Sequence, residues 1–158
     1  MEGGNKMKLK LLIFLICSYL IAFATNLIPS LKHPDSTMSI FNLLATALFL
    51  IALLIFIKKA SYGGKSNKGL KAFLILGFIS GLVVYVIKMF EGTMMDNAIL
   101  DIIVSIQYPF YLLFTTPLFG VNYLFDISYE TFSLLMSAVY VIAFILVMSF
   151  KKVDTQNV

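Results

Sequence analysis

Residues 40–57 read IFNLLATALFLIALLIFI, an apolar run of 18 residues without a charged side chain. Because roughly 20 helical residues cross the hydrocarbon core of a bilayer, a run of this length predicts a membrane-spanning helix. Ser39 precedes the run and is a favourable N-cap residue. Lys58 and Lys59 follow it, where they can meet the negative end of the helix and the lipid headgroups. This stretch indicates an integral membrane protein.

Three further apolar runs have the same character and cover residues 9–28, 70–90 and 131–150. Lysines precede the first run, so a cleaved signal peptide is an alternative, but signal cores usually have only about 7–15 apolar residues. We therefore expect the first run to be retained as a membrane helix that ends at Pro29. Four spans with short connections predict an all-α membrane protein, a four-transmembrane-helix bundle with residues 1–158 in a single membrane domain.

The composition agrees with this class. Hydrophobic residues make up 60% of the chain and charged residues 13%, whereas soluble domains carry about 25% charged residues. All 12 basic residues are lysines, which argues against nucleic-acid binding because the arginine fork makes the best contacts to guanine and phosphate. A chain rich in lysine, isoleucine and phenylalanine suits an AT-rich bacterial genome.

A fifth apolar segment, residues 98–119, is less regular than the other runs. It contains Asp101, Gln107, Pro109 and Pro117. Proline removes a backbone donor and disfavours helix at the preceding residue. The segment is therefore predicted to be kinked and either re-entrant or interfacial, although five spans remain possible.

The distribution of lysines predicts the orientation. With a cytoplasmic N-terminus and four spans, ten of the 12 lysines lie on the cytoplasmic side, as the positive-inside rule favours. With five spans the terminal pair moves outside, and the division becomes eight to four. We therefore expect a multi-pass protein of the cell membrane with both termini cytoplasmic.

Small residues at four-residue spacing predict close helix packing. Gly77 and Gly81 lie one turn apart in the third run, and Ser133 and Ser137 have the same spacing in the last run. Such pairs let a neighbouring backbone approach closely. Packing within the chain is the favoured interpretation, and formation of a homodimer is the alternative.

The sequence offers little for catalysis or metal binding. The single histidine, His33, stands beside Pro34 in a short connection, and Cys17 is the only cysteine. No pair of histidines, or of glutamate and histidine, has the spacing of a zinc site. We expect no metal, no cofactor and no catalytic residues, and hence a protein that is not an enzyme.

Aromatic residues concentrate around the fifth segment. Nine of the 23 in the chain lie between residues 108 and 132, namely Tyr108, Phe110, Tyr111, Phe114, Phe119, Tyr123, Phe125, Tyr129 and Phe132. An interfacial aromatic belt is one explanation. A binding surface is the other, because irregular backbone at membrane depth must be buried in protein or line a wet cavity.

The second explanation predicts a shallow, outward-facing pocket that holds a lipid, a peptide or a partner helix. Its predicted residues are Asp101, Gln107, Tyr108, Tyr111, Phe114 and Asn122. Tyr108, Tyr111 and Phe114 would form the walls, and Asp101 would lie at the edge. The alternative is that the segment is an interfacial plug without a ligand.

These features favour a non-enzymatic accessory, interaction or immunity-type protein that acts through its helix faces and its aromatic outer segment. Its expected partners are membrane lipids and either another membrane protein or further copies of itself. A small channel, holin-like or transporter subunit, assembled around the glycine face, is the alternative. A lipid-handling enzyme that uses Asp101 and nearby tyrosines is a third possibility.

Overall fold

The computed structural model describes residues 2–61, 68–94, 102 and 104–156, and within these ranges it contains helices and no strand. Side chains are described for residues 7–59, 68–90, 102 and 104–150. The long helices are α1 (Glu2–Lys32), α2 (Ile40–Ser61), α3 (Lys68–Met94) and α4 (Tyr129–Gln156).

Each of the four long helices contains a stretch that is apolar and long enough to cross a membrane. These stretches are Met7–Lys32, Ile40–Lys59, Lys68–Phe90 and Tyr129–Phe150. They include the four predicted runs and extend beyond them. The prediction of an all-α, multi-pass membrane bundle is therefore confirmed.

The helices form two antiparallel pairs. In the first pair, the Asn42 side chain of α2 donates to the Thr25 carbonyl of α1 at 2.9 Å. In the second, the Lys71 ammonium of α3 lies 3.2 Å from the Met148 sulfur of α4. The loop of residues 33–39, the end of α3 and the start of α4 share one end of the bundle, called here the loop end. The opposite end is called the lysine end.

The first helix does not end at Pro29, as the sequence predicted, but continues to Lys32. Proline in a helix leaves the carbonyl four residues earlier without its N–H donor, and here that carbonyl belongs to Thr25. The Asn42 amide of α2 donates to it instead. A helix-interior proline is tolerated at membrane depth when a neighbouring helix satisfies the released carbonyl in this way.

The fifth apolar segment is a broken helix. A single α-turn (Gln107–Phe110) passes into a π-helix (Tyr111–Thr115) and then a 3-10 helix (Thr116–Leu124). The chain leaves α3 at the loop end and reaches mid-depth at Phe114, whose carbonyl accepts a hydrogen bond from Tyr140 at 2.7 Å. It returns to the loop end at Phe119, whose ring centroid is 5.6 Å from that of His33. Residues 107–124 therefore form a re-entrant segment.

The re-entrant segment lies between the two helix pairs and supplies much of the core. The Phe119 ring packs edge-on against Phe132 of α4, with 5.2 Å between centroids. Phe114 contacts Phe73 of α3 at 5.4 Å. Phe119 and Phe132 are fully buried. These aromatic residues act as the core of the bundle rather than as a belt at its surface.

Two glycines set the closest approach between α3 and α4. A Cβ atom on Gly77 would lie 2.6 Å from the Tyr140 ring. A Cβ atom on Gly81 would overlap the backbone carbonyl of Ser133 and lie 2.7 Å from the Ser137 Cβ. The small residues singled out in the sequence thus lie together at a contact within one chain.

Candidate functional site

The re-entrant segment must satisfy its backbone groups within the protein, because lipid offers no hydrogen bonds. Pro117 has no N–H, so the Leu113 carbonyl lacks the donor that a regular α-helix would provide. The Tyr19 hydroxyl of α1 donates to this carbonyl at 2.8 Å. As at Pro29, a side chain from another element takes the place of the proline N–H.

Other helices stabilise the segment by the same means. Ser80 of α3 donates to the Phe110 carbonyl at 2.9 Å. In the opposite direction, Tyr111 of the segment donates to the Ser30 carbonyl near the end of α1, also at 2.9 Å. Together with the Tyr140 bond, these contacts attach the segment to α1, α3 and α4.

Asn26, Asn42 and Thr46 form a buried amide cluster between α1, α2 and the segment. Asn42 donates to the Asn26 side-chain oxygen at 3.1 Å, and Asn26 donates to the Thr46 hydroxyl at 2.9 Å. Thr46 in turn donates to the Pro117 carbonyl at 3.0 Å. The backbone N–H and the hydroxyl of Ser39 both donate to the Asn42 oxygen at 2.9 Å, so the Asn42 side chain caps the start of α2.

Gly120 allows the segment to approach the amide cluster. A Cβ atom at this position would overlap the Asn42 carbonyl and lie 2.6 Å from the Thr46 hydroxyl. Only glycine leaves room for this backbone contact. The close approach places the 3-10 helix directly against the first turns of α2.

The residues that were predicted to form one pocket differ in their burial. Tyr111 and Phe114 are buried in the core, whereas Tyr108 is 50% exposed. Asn122 is buried and closes the turn before α4, because its amide donates to the Ile127 carbonyl at 2.8 Å and accepts from the Ile127 N–H at 3.1 Å. Asp101 lies outside the described residues.

Gln107 differs from the other buried polar residues. Its side chain is 1% exposed, and neither its amide oxygen nor its amide nitrogen has a hydrogen-bond partner among the described residues. Leaving a buried polar group unpaired costs about 1–3 kcal/mol. The Gln107 amide is therefore a candidate for binding a polar group of a ligand.

A groove that the sequence did not predict opens at the lysine end. It has a volume of about 370 Å³ and lies between α1, α2 and α3. Its lining is almost entirely apolar and includes Leu12, Ile16, Tyr19, Phe56, Leu70 and Phe73. Its shape and chemistry suit a hydrocarbon ligand.

Sequence reasoning missed several polar residues that hold the segment in place, Tyr19 among them. Asn26 belongs to the amide cluster, and the hydroxyls of Ser30 and Thr116 lie 3.2 Å apart between α1 and the segment. A signal for Asn26 was present, since it is the only amide in residues 9–28 and stands three residues before Pro29. The serine and threonine had no comparable signal.

No group of three or more His, Cys, Asp or Glu side chains that could hold a metal ion occurs among the described residues. Comparison with protein-family models, curated proteins and solved structures finds no match to this chain.

Proposed function

We propose that the protein is a non-enzymatic accessory, interaction or immunity-type protein of the cell membrane, which recognises another membrane protein at its loop end. The observation that carries this proposal is a set of three consecutive apolar side chains, Tyr123, Leu124 and Phe125, all exposed where the re-entrant segment reaches the loop end. We call this set the rim. The rim lies on a turn beside the exposed Asp126 and not on a membrane-spanning helix, so its apolar side chains suit contact with another membrane protein better than contact with lipid chains.

The backbone beneath the rim is held in one conformation. The N–H groups of Phe125 and Asp126 donate to the Asn122 carbonyl at 3.1 and 2.8 Å. Asp126 has a φ of 47°, in the left-handed region that aspartate tolerates better than most residues. A surface that is already ordered loses less conformational entropy on binding, which supports a recognition role.

Two polar residues of the segment support a non-enzymatic interpretation. Tyr111 and Asn122 could serve a lipid-handling enzyme, but their donor groups are directed at the backbone carbonyls of Ser30 and Ile127. The alternative of a channel assembled around the glycine face has less support, because α4 of the same chain covers Gly77 and Gly81.

The rim is tested by replacing Leu124 and Phe125 together with serine and measuring the recovery of a stoichiometric partner from membranes. We expect recovery to fall at least about tenfold, because anchor residues of an interface contribute about 2 kcal/mol or more each. The matched control is the same change at Ile40 and Phe41, which are also exposed at the loop end. Equal recovery from both variants would reject the rim as the recognition surface.

We also propose that both termini lie in the cytoplasm. Lysines gather at the lysine end, among them Lys8, Lys10, Lys58, Lys59 and Lys68. The acids whose side chains are described, Asp35, Asp126 and Glu130, lie at the loop end. The positive-inside rule then places the lysine end in the cytoplasm.

Cysteine labelling tests this orientation in a Cys17→Ser background. In intact cells, a membrane-impermeant maleimide should label Asp35→Cys but reach Thr155→Cys only after lysis. Labelling of Thr155→Cys from outside intact cells would contradict the proposed orientation, and the Asp35→Cys variant shows that the reagent can reach an exposed site.

A further inference from the structure

The apolar groove at the lysine end has the position of a lipid-binding site. Its walls come from the first half of α1, the second half of α2 and the first turns of α3. Leu12 and Ile16 line it and are also substantially exposed on the outer surface of the bundle. The groove therefore opens sideways, toward the space that lipid chains occupy around a membrane protein.

The floor of the groove is closed by aromatic side chains. Tyr19 packs edge-on against Phe49 at 5.6 Å and against Phe73 at 6.5 Å between ring centroids. The Tyr19 hydroxyl donates its hydrogen to the Leu113 carbonyl of the re-entrant segment, so that donor is already used within the protein. The floor thus presents hydrocarbon, and a chain that enters the groove ends at this point.

The depth of the groove matches one leaflet. Lys8 and Tyr19 are 11 positions apart on α1, and a rise of about 1.5 Å per residue puts them about 16 Å apart along the helix. Half of a hydrocarbon core is about 15 Å thick. A groove that begins below Lys8 and ends at Tyr19 therefore accommodates an acyl chain of the leaflet at the lysine end.

Lysines stand at the mouth of the groove on two of its three walls. Lys8 precedes Leu12 by four residues and Lys59 follows Phe56 by three, so each lysine shares a helix face with a lining residue. On α3, Lys68 precedes the lining residue Gly69 but lies about 100° from it around the helix, so it does not share that face. Lys8, Lys59 and Lys68 are exposed. The mouth of an apolar groove is thus cationic.

We propose that the groove binds one acyl chain of an anionic phospholipid, with Lys8 and Lys59 near the phosphate. The volume of about 370 Å³ is near the lower limit of ligand pockets, which favours one chain over two. The site lies at the opposite end of the bundle from the rim and does not depend on the function proposed above.

The absence of tryptophan from the chain makes a fluorescence test direct. Leu12→Trp places a reporter in the groove, and Ile13→Trp is the matched control, on the next residue of the same helix and outside the lining. Each variant is reconstituted in phosphatidylcholine bilayers with increasing fractions of phosphatidylglycerol that carries brominated chains. We expect Leu12→Trp to be quenched at about 25-fold lower phosphatidylglycerol fractions, a factor of about five for each of the two lysines near the anionic lipid.

Two further measurements separate a specific site from a general crevice. Brominated phosphatidylcholine should quench both reporters alike, and Lys59→Gln should reduce the difference between them about fivefold, the contribution of one lysine. Native mass spectrometry of the unmodified chain should retain one phosphatidylglycerol in preference to phosphatidylcholine. Any one of three results would overturn the proposal. The first is equal quenching of the two reporters by phosphatidylglycerol, and the second is an equally strong preference for Leu12→Trp when the brominated lipid is phosphatidylcholine. The third is no effect of Lys59→Gln.

Discussion

Replacing Asn42 with alanine is expected to lower the free energy of unfolding by about 2–3 kcal/mol, since buried hydrogen bonds in membrane proteins average about 0.6 kcal/mol and Asn42 makes four. The substitution removes the cap at the start of α2 and the donor to the Thr25 carbonyl. It also removes the donor to Asn26, which holds the rest of the amide cluster. Unfolding of purified protein in mild detergent or bilayers measures the loss.

The control for this substitution is Phe41→Ala, on the adjacent residue. The Phe41 side chain is 72% exposed, so in a lipid-like solvent its removal should change stability by no more than about 0.5 kcal/mol. A comparable loss in both variants would mean that α2 is sensitive to any change in its first turn, and the amide cluster would then have no special role.

A double-mutant cycle tests the reason for the Asn42 effect. Pro29→Ala restores an N–H that can donate to the Thr25 carbonyl within α1. Asn42→Ala should therefore destabilise the Pro29→Ala protein less than it destabilises the original chain, by an amount near the value of one hydrogen bond. Strictly additive effects would show that Asn42 does not compensate for Pro29.

Replacing Gly81 with leucine is expected to destabilise the bundle by about 1–3 kcal/mol through overpacking. The cause is specific, because even a Cβ atom at this position overlaps the backbone carbonyl of Ser133. A carbonyl on a helix backbone cannot rotate aside as a flexible side chain can, so α3 and α4 must separate. The loss should appear as a lower midpoint of thermal unfolding.

Ile79→Phe is the matched control for Gly81→Leu. Ile79 is on the same turn of α3 but is 41% exposed, so added bulk there faces the surroundings of the bundle. Its unfolding midpoint should stay close to that of the original protein. If Gly81→Leu instead retained full stability and lost only self-association, the glycine face would belong to an interface between copies of the chain.

The four spans could be predicted because membrane insertion depends on local composition. An apolar run such as residues 40–57 favours lipid over water whatever it later packs against. The kink in the fifth segment could also be predicted from the local sequence, since Pro109 and Pro117 disrupt regular helix by their own geometry. The same local rule failed at Pro29, because a residue 13 positions later restores the missing hydrogen bond.

The candidate site depended on contacts that no local pattern contains. Tyr111 and Phe114 were predicted from the sequence as walls of a pocket. Their burial follows from the depth to which the segment descends between the helix pairs. Tyr108, in the same stretch, stays at the surface. Gly77 and Gly81 were recognisable by spacing, yet the spacing could not tell whether α4 or a second chain would cover them.

The sequence by itself determined the class of the protein, the number of its long apolar helices and the irregularity of the fifth segment, because hydrophobicity and proline geometry act on the residues that carry them. Only the tertiary structure decided which carbonyls lose their donors and which distant side chains replace them, as Tyr19 does for Leu113. It alone also formed the groove of the lysine end, since that space lies between three helices and belongs to none of them. Contacts of this kind depend on how helices are placed relative to one another, and the hydrophobic pattern of a single helix does not specify that placement.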